Sequence, residues 1–547
     1  MNGKYSNVKV SGIAAAVPSY VMDNMDYIDV FGKRRVMKQA KLTGVYRHHL
    51  SYRYQKLSDL CVSAAEKLLE HLQWNREEVK VLILCTQYAD YEIPSTAIDL
   101  SERLGLGKDC MAYDINLGCS AFDLGIQTIG GLLQSQPDGT KALLLTGDIA
   151  LLPGSETMKK EDIINTMMFG SGGAATALEK QPENEILFRN FSDGSGWDAI
   201  VRYTRTETMM KGNKVFEFAI NDVVANMDSF LNDLNITDNI DYYVFHQAQK
   251  LILDTIAVSC ELPEDRVITS YEEYGNTSGA SIPITLCHNR DKYEGKENIQ
   301  VCSCGFGVGL SMGISYFQVP VENILPVIVT DEHFDEHRLH CGEIYTRNVL
   351  IMEPETAICK LIGRELDAAG CNLGFYGSRE IVEEMRSQLF WKDCELFVDK
   401  LDSVADSSSK KYDAVIFDMA IYDKERVIES AQCLAEQGVL STNSSIILVA
   451  EEEENDVSLQ SFMSSLSASL RREYRVNAVV YKEESFDLFP KILDSPEWLE
   501  RKILMEDSSD MSRPFFLAKA IEKLVSLDFL AVSSTIVHIS DTITEFM

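Results

Sequence analysis

The chain has 547 residues, more than one ordinary hydrophobic core contains, so we expect two or three domains. Hydrophobic residues make up 45% and charged residues 25% of the sequence, which is a normal globular composition. The formal net charge of −33 disfavours nucleic acid and anionic membrane surfaces as partners, because both would be repelled.

The sequence has no apolar stretch long enough to span a bilayer, and its first residues lack the apolar core of a signal peptide. The 13 cysteines are scattered without CxxC pairs, which indicates reduced thiols. We therefore expect a cytoplasmic protein without a membrane span.

Up to about Val321, apolar strand-like runs alternate with amphipathic helical runs. This alternation predicts a layered α/β fold, and it occurs in two halves of about residues 1–180 and 181–322. The predicted helices are Leu57–His71, Ala121–Leu133, Val215–Leu234 and Lys250–Cys260; the predicted strands are Lys80–Thr86, Ala142–Gly147, Tyr242–Phe245, Cys302–Gly313 and Ile314–Phe317.

A charged, irregular segment over residues 323–346 predicts a linker. The spacing of His333, His337, His340 and Cys341 within it suits zinc ligands on one helical face. A solvated linker with chance histidines is the simpler explanation, so we expect no metal. Strand–helix alternation resumes over residues 347–547, which predicts a separate doubly wound α/β domain.

Three short segments carry the candidate chemistry: DINLGCSAF at Asp114–Phe122, HQA at His246–Ala248 and GNTSGASIP at Gly275–Pro283. Cys119 follows a small turn residue and begins a predicted helix. The partial positive charge of a helix N-terminus would lower the pKa of its thiol. A thiolate at this position can attack a thioester and hold the acyl group covalently.

The tetrahedral intermediate of that attack needs two hydrogen-bond donors. The backbone N–H of Cys119 can supply one, and the glycine-rich segment Gly305–Gly313 can bring a second, the N–H of Val308, close to the sulfur. A neutral His246 N–H and the Asn276 carboxamide NH₂ would stabilise the enolate that forms when a malonyl group loses CO₂. Asn cannot act as a general base, which favours this role over a protease-like triad.

Together with LTGVYRHH near position 42 and MFGSGGAATAL near position 169, these motifs resemble β-ketoacyl-acyl carrier protein synthase III over roughly residues 5–320. The resemblance implies a thiolase-like five-layered αβαβα fold for residues 1–322, a homodimer, and Cys119, His246 and Asn276 as the catalytic triad. It implies an acyltransferase that captures an acyl thioester on Cys119. A decarboxylative Claisen condensation with malonyl-acyl carrier protein then follows, in fatty-acid or polyketide-like biosynthesis, without a cofactor.

The same resemblance implies acyl carrier protein as a partner, with Lys250 close to the family's docking position. Leu42 stands where the family has an Arg of its coenzyme A clamp, and no Trp precedes it nearby, so the donor is either coenzyme A or carrier-bound. Gln249 replaces the usual Asn after HQA. The alternatives are acyl transfer without decarboxylation, a bifunctional synthase–reductase and a non-catalytic assembly subunit.

Residues from about 345 to 545 are similar to the short-chain dehydrogenase/reductase family, in NVLIMEPETAICKLIGRELDAAGCNLGFYGSRE and KYDAVIFDMAIYDK. This resemblance implies a Rossmann-like domain. The family's glycine-rich turn is replaced by Met352–Cys359, where Glu353 and Glu355 would repel a pyrophosphate. No Tyr-x-x-x-Lys precedes the late helix, so we predict a pseudo-reductase that binds no NAD(P).

Overall fold

The computed structural model describes residues 2–52, 55–91, 93–150, 163–204, 207–234, 236–334, 347–354, 356–368, 371–382, 395–398, 411–451, 456–470, 474–481 and 536–538. Of the residues singled out in the sequence, His337, His340, Cys341 and Glu355 lie outside this part of the chain.

The first of two six-stranded sheets contains long apolar runs such as KVLILC and ALLLTG, which are buried on both faces. The strands at its centre therefore form the middle of a layered core. Its strands, in spatial order, are β16 (Ile328–Thr330), β2 (Val8–Pro18), β8 (Gly172–Lys180), β7 (Lys141–Asp148), β5 (Val79–Thr86) and β6 (Met111–Asn116).

The second six-stranded sheet is organised around an antiparallel hairpin that turns between Gly307 and Ser311. In spatial order it contains β1 (Asn2–Tyr5), β9 (Ile186–Ser192), β15 (Ser311–Pro320), β14 (Asn298–Gly307), β12 (Tyr242–Phe245) and β13 (Val267–Ile268). Two short ribbons pair β3 (Val21–Asp23) with β4 (Arg47–His49) and β10 (Ile200–Thr204) with β11 (Glu207–Met210).

The helices of this region are α1 (Ile28–Phe31), α2 (Lys33–Thr43), α3 (Leu57–Leu72), α4 (Thr96–Arg103), α5 (Ala121–Leu133), α6 (Ile163–Met168), α7 (Gly212–Phe218), α8 (Val224–Leu234), α9 (Lys250–Ser259), α10 (Tyr271–Tyr274) and α11 (Ser281–His288). Helices α5 and α11 are buried between the two sheets. Helices α3 and α4 cover the outer face of the first sheet, and α8 and α9 cover that of the second. The predicted five-layered αβαβα arrangement is confirmed.

The predicted linker begins too early. Instead of an irregular segment from residue 323, Ile328–Thr330 form β16, which pairs in parallel with β2. The following residues are also anchored: Gln55 Nε2 donates to the carbonyl oxygens of Thr330 at 2.9 Å and Glu332 at 3.2 Å, and the Phe334 ring lies under the Arg103 guanidinium at 4.7 Å. The strand itself reads IVT, and the charged run begins only at Asp331, so the irregular segment starts later than predicted.

The C-terminal region contains a seven-stranded, all-parallel sheet. In spatial order its strands are β19 (Glu395–Val398), β18 (Asn372–Gly377), β17 (Asn348–Met352), β20 (Tyr412–Asp418), β21 (Leu440–Glu451), β22 (Arg475–Tyr481) and β23 (Ile536–His538). The chain moves outward from β17 and then crosses to β20, so the order reverses between these two strands. The described helices are α12 (Ala357–Ala368), α13 (Lys424–Glu436) and α14 (Asp456–Ser469). Within the described residues, no helix has the length and apolar character needed to cross a membrane.

Candidate active site

Cys119 lies in the turn between β6 and α5, two residues before the helix begins. The turn is closed by the Ala121 N–H, which donates to the Gly118 carbonyl oxygen at 2.8 Å. Because α5 is enclosed between the two sheets, its N-terminus holds Cys119 at the base of the layered core. The sequence prediction that Cys119 begins this helix is correct to within two residues.

The hairpin of β14 and β15 passes directly over Cys119. A methyl group added at Gly307, whose φ is +153°, would lie 2.7 Å from Cys119 Cβ and 2.9 Å from its Sγ. Only glycine permits this approach of backbone to sulfur. The backbone N–H groups of Val308 and of Cys119 itself both hydrogen-bond toward the thiol and lower its pKa. The structure thus brings together the two donors that the sequence indicated.

His246 follows β12 and is almost fully buried. Its backbone N–H donates to the Cys304 carbonyl oxygen at 2.9 Å, and its ring meets the Phe306 ring edge-on at 5.8 Å between centroids. Burial lowers the pKa of the imidazole to about 4, so the ring is neutral at physiological pH. Its Nδ1 is buried and has no hydrogen-bond partner among the described residues.

Asn276 lies in the loop after α10, where the main chain holds it on both sides. Its N–H donates to the Met168 carbonyl oxygen at 2.7 Å, and its own carbonyl oxygen accepts from the Gly170 N–H at 3.0 Å. The side chain is also fixed, because Oδ1 accepts the Ser278 N–H at 2.9 Å. The Nδ2 group is therefore the part of the carboxamide that is directed away from this loop.

Ser278 contacts each of the three predicted residues, and sequence reasoning missed it. Its backbone N–H donates to Asn276 Oδ1 at 2.9 Å, and its backbone and its side chain lie close enough to His246 and Cys119 to shift the pKa of each. It adopts a left-handed φ of 49°, which is uncommon for a residue other than glycine. The only signal in the sequence was its place in the GNTSG segment.

The expectation of a lowered thiol pKa is wrong. Cys119 retains partial solvent access, but burial raises the pKa of its thiol to about 11. Hydrogen bonds from Val308, Cys119 and Ser278 oppose this rise, and the charge of Asp148 adds to it. Desolvation of the thiolate therefore outweighs the helix N-terminus and the local donors.

Asp148 is a second residue that sequence reasoning did not assign. It ends β7 and is buried, and its Oδ1 accepts from Thr86 Oγ1 and the Gln87 N–H, each at 2.8 Å. Burial raises the pKa of this carboxyl, while hydrogen bonds from Ser278, Thr86 and Gln87 lower it. The site thus contains a carboxyl close enough to influence the sulfur.

The remaining predicted positions lie away from this cluster. Lys250 is on the surface at the start of α9 and forms an ion pair with Asp254 at 2.8 Å. Leu42 is exposed near the end of α2, and Gln249 precedes α9. No group of three or more His, Cys, Asp or Glu side chains in the described part of the chain has the arrangement of a metal site.

In the C-terminal region, the carboxyl ends of β17 and β20 meet where the strand order reverses. Parallel sheets bind nucleotides at such a point. At this point Thr356 Oγ1 donates to Asp418 Oδ2 at 2.6 Å, and Arg426 forms an ion pair with Glu353. The Arg426 guanidinium also stacks over the Tyr422 ring at 4.3 Å. Glu353, expected to repel a phosphate, is thus paired within the domain.

The layered N-terminal fold, with Cys119 in the turn before its buried central helix and the glycine hairpin against its sulfur, is the arrangement of thiolase-like condensing enzymes. Within that class the sequence matches one family. Residues 113–194 match 3-oxoacyl-[acyl-carrier-protein (ACP)] synthase III, and residues 232–319 match its C-terminal part. Both matches fall within the N-terminal region, which is therefore similar to this family.

Individual relatives agree with this assignment. β-Ketoacyl-[acyl-carrier-protein] synthase III of Clostridium perfringens is 29% identical over 334 residues, which cover 57% of this chain and 99% of the relative. The Hyphomonas neptunium enzyme of the same name is 29% identical over 328 residues. The crystal structure of 3-oxoacyl-(acyl-carrier protein) synthase from Burkholderia xenovorans superposes with a TM-score of 0.57 at 29% identity, covering 60% of this chain and 99% of that one.

Proposed function

We propose that the protein is a β-ketoacyl synthase III-like acyltransferase that captures an acyl thioester on Cys119. The observation that carries this proposal is the close approach of the β14–β15 hairpin to Cys119, where a methyl group added at Gly307 would lie 2.9 Å from the sulfur. In the first step the sulfur attacks the thioester carbonyl, and the Cys119 and Val308 N–H groups stabilise the oxyanion. The carbon–sulfur bond to the donor then breaks, and the donor thiol leaves with the proton that Cys119 gives up.

The second step is a decarboxylative Claisen condensation with malonyl-acyl carrier protein. The bond to the malonyl carboxylate breaks, CO₂ leaves, and the electron pair becomes an enolate that attacks the acyl carbonyl on Cys119. The carbon–sulfur bond to Cys119 then breaks, the β-ketoacyl product stays on the carrier, and the released sulfur takes a proton from solvent. Neutral His246 and the Asn276 NH₂ act as donors to the thioester oxygen on which negative charge develops. The names of the relatives, which are synthases of acyl-carrier-protein substrates, support this reaction and its place in fatty-acid biosynthesis.

The test is to expose the protein to a panel of acyl thioesters and to measure intact mass. We expect one acyl adduct on the wild type and none on Cys119→Ala, whereas Cys260→Ala, a control at another partly buried thiol, acylates normally. An adduct that persists on Cys119→Ala refutes the assignment. Release of CO₂ from malonyl-acyl carrier protein distinguishes condensation from acyl transfer to another nucleophile, which releases none.

The partner surfaces follow from the same fold. We propose a cytoplasmic homodimer that uses acyl carrier protein, docked near Lys250. Strand β6 forms one edge of the first sheet, and Met111, Ile98 and Ile93 are exposed on or near it. An open edge flanked by apolar side chains suits pairing with a second copy. Light scattering of Met111→Lys tests this, since a buried charge at a two-fold axis would shift the dimer toward monomer.

For the C-terminal region we propose a Rossmann-like pseudo-reductase. The order of its parallel strands supports the fold, and the Glu353–Arg426 and Thr356–Asp418 contacts support the absence of a nucleotide. The bifunctional synthase–reductase alternative requires NADPH binding. A thermal shift or a fluorescence change with NADPH would favour that alternative, and a flat titration favours the pseudo-reductase.

A further inference from the structure

A buried carboxyl, Asp123, ties the helix that follows the nucleophile to the hairpin that passes over it. Asp123 lies in the first turn of α5 and is fully buried. Its Oδ1 accepts from Ser303 Oγ at 2.5 Å, and its Oδ2 accepts from the Gly305 N–H at 2.6 Å. Both donors belong to β14, so one carboxyl joins two elements that are distant in sequence.

The same stretch of β14 lies against Cys119. A methyl group added at Gly305 would be 2.8 Å from the Cys119 carbonyl oxygen, and one at Gly307 would be 2.9 Å from the sulfur. Strand β14 then ends, and Val308 directs its N–H at the thiol. The position of that N–H relative to the sulfur therefore depends on how firmly β14 is held against the start of α5.

No Lys, Arg or His among the described residues pairs with Asp123, so only neutral donors stabilise its charge. Burial raises the pKa of the carboxyl to about 7, against the hydrogen bonds from Ser303 and Gly305. The nearest titratable groups of β14 are the Cys302 and Cys304 thiols, whose side chains lie on the opposite face of the strand. Both stay neutral, because burial and the carboxylate charge raise their pKa well above the usual value. From β15 the neighbours are Ser315 and Gly313, which do not titrate.

We propose that Asp123 is a positioning residue whose ionised carboxylate holds β14, and with it the Val308 N–H, against Cys119, so that protonation of Asp123 weakens the oxyanion site. A charge-assisted hydrogen bond is roughly twice as strong as a neutral one, and the bond to the Gly305 N–H changes between these forms. When the carboxyl is protonated, its O–H donates to Ser303 Oγ, and that hydroxyl donates to the Ser315 carbonyl oxygen, already 3.3 Å away.

The substitution Asp123→Asn mimics the protonated carboxyl, because the amide oxygen can accept from the Gly305 N–H and the NH₂ group can donate to Ser303 Oγ. The inference rests on the proposed acyl capture at Cys119. The experiment compares wild type and Asp123→Asn over pH 5.5–8.5 with two probes. Acylation by a simple acyl thioester forms an oxyanion, whereas alkylation of Cys119 by iodoacetamide forms none.

We expect the ratio of the acylation rates, variant to wild type, to be close to one at pH 5.5 and to fall through about pH 7. The expected plateau is a loss of about tenfold, a fraction of the roughly 10²–10³ that removal of a whole oxyanion donor costs. We expect the ratio of the alkylation rates, variant to wild type, to fall over the same pH range but by a smaller factor than the acylation ratio. A ratio that is constant with pH for both probes overturns the proposal, because a merely structural defect would give that result.

If the proposed function is wrong, the wild type is not acylated at any pH. The role of Asp123 is then judged from the ratio of the alkylation rates of Asp123→Asn and wild type alone. If Asp123→Asn does not fold, Ser303→Ala takes its place. It removes a hydrogen bond that lowers the pKa of Asp123, so the step in the wild-type acylation profile moves to higher pH. An unmoved step contradicts the proposal.

Discussion

The backbone N–H of Ser278 donates to Oδ1 of Asn276 at 2.9 Å, and this contact determines which end of the carboxamide the site receives. A backbone N–H can only donate, so the atom that faces it must be the oxygen. The NH₂ group therefore points away from the loop, as a donor to a developing negative charge requires.

Asn276→Asp keeps the acceptor for the Ser278 N–H and replaces the NH₂ group with a carboxylate oxygen. We expect condensation to fall by about 10³-fold or more, since a donor is lost and a like charge is added. Acylation of Cys119 should change little, because Asn276 does not contact the first oxyanion in the proposed mechanism. CO₂ release and intact mass measure the two steps separately, and equal losses in both would contradict the division of roles.

Gly307→Ala should prevent thioester attack. Its methyl group would lie 2.9 Å from the Cys119 sulfur, and its φ of +153° disfavours any side chain. We expect acylation and iodoacetamide alkylation to fall by at least about 10²-fold. Gly295→Ala is the matched control: its φ of +82° carries comparable backbone strain, but no atom lies within 4 Å of the added methyl. Similar losses in both variants would show that strain, not obstruction, is responsible.

The raised pKa of Cys119, about 11, predicts a thiol and not a thiolate in the resting enzyme. The alkylation rate should rise about tenfold per pH unit between pH 7.5 and 9.5, in proportion to the thiolate fraction. Peptide mass mapping restricts the measurement to Cys119. A rate that reaches a plateau below pH 9 would show that the helix N-terminus outweighs burial after all.

Asp123 makes a prediction for stability that is independent of any reaction. Its folded-state pKa of about 7 lies above the ordinary value of 3.8 for an aspartate. Between these values the folded protein holds a proton that the unfolded chain has released, so this contribution to stability is lost as pH rises toward 7. It amounts to on the order of 4 kcal/mol at most. The unfolding temperature of Asp123→Asn should therefore rise relative to wild type from pH 4 to 7 and then level off. Calorimetry that finds a constant difference would contradict this.

Strand β16 predicts where the N-terminal domain ends. A chain ending at Phe334 keeps β16, the Gln55 hydrogen bonds and the contact of Phe334 with Arg103. A chain ending at residue 322 loses them all, and its unfolding temperature should be lower by about 5–10 °C. Comparison of the two chains by calorimetry checks this. Equal unfolding temperatures of the two chains would indicate that residues 323–334 belong to the linker.

The candidate residues that could be found from the sequence are those whose backbone environment is formed by their own short segment. Cys119, His246 and Asn276 each occur in a short motif that combines a strand end or turn with small neighbours, so the local backbone setting of each could be predicted from its own segment. Ser278 lay inside one of these motifs but had no chemistry of its own to mark it. Its importance comes from contacts with groups on three other segments.

The features that the sequence did not predict all depend on burial by residues that are distant in the sequence. Cys119 was expected to have a lowered pKa from its place at a helix start, but the desolvation that reverses the shift depends on strands from elsewhere in the chain. Asp123 has the same dependence, because Ser303 and Gly305 are its partners. Strand β16 has only three residues, and nothing in its own sequence shows that β2 offers it an edge.

The high pKa of the Cys119 thiol also bears on oxidative damage. Peroxides react with thiolates, and the first oxidation product, a sulfenic acid, would remove the nucleophile. At physiological pH only about one molecule in a thousand to ten thousand carries the reactive anion when the thiol pKa is about 11. Oxidation of Cys119 by peroxide should therefore be slow at physiological pH and should become faster as the pH rises.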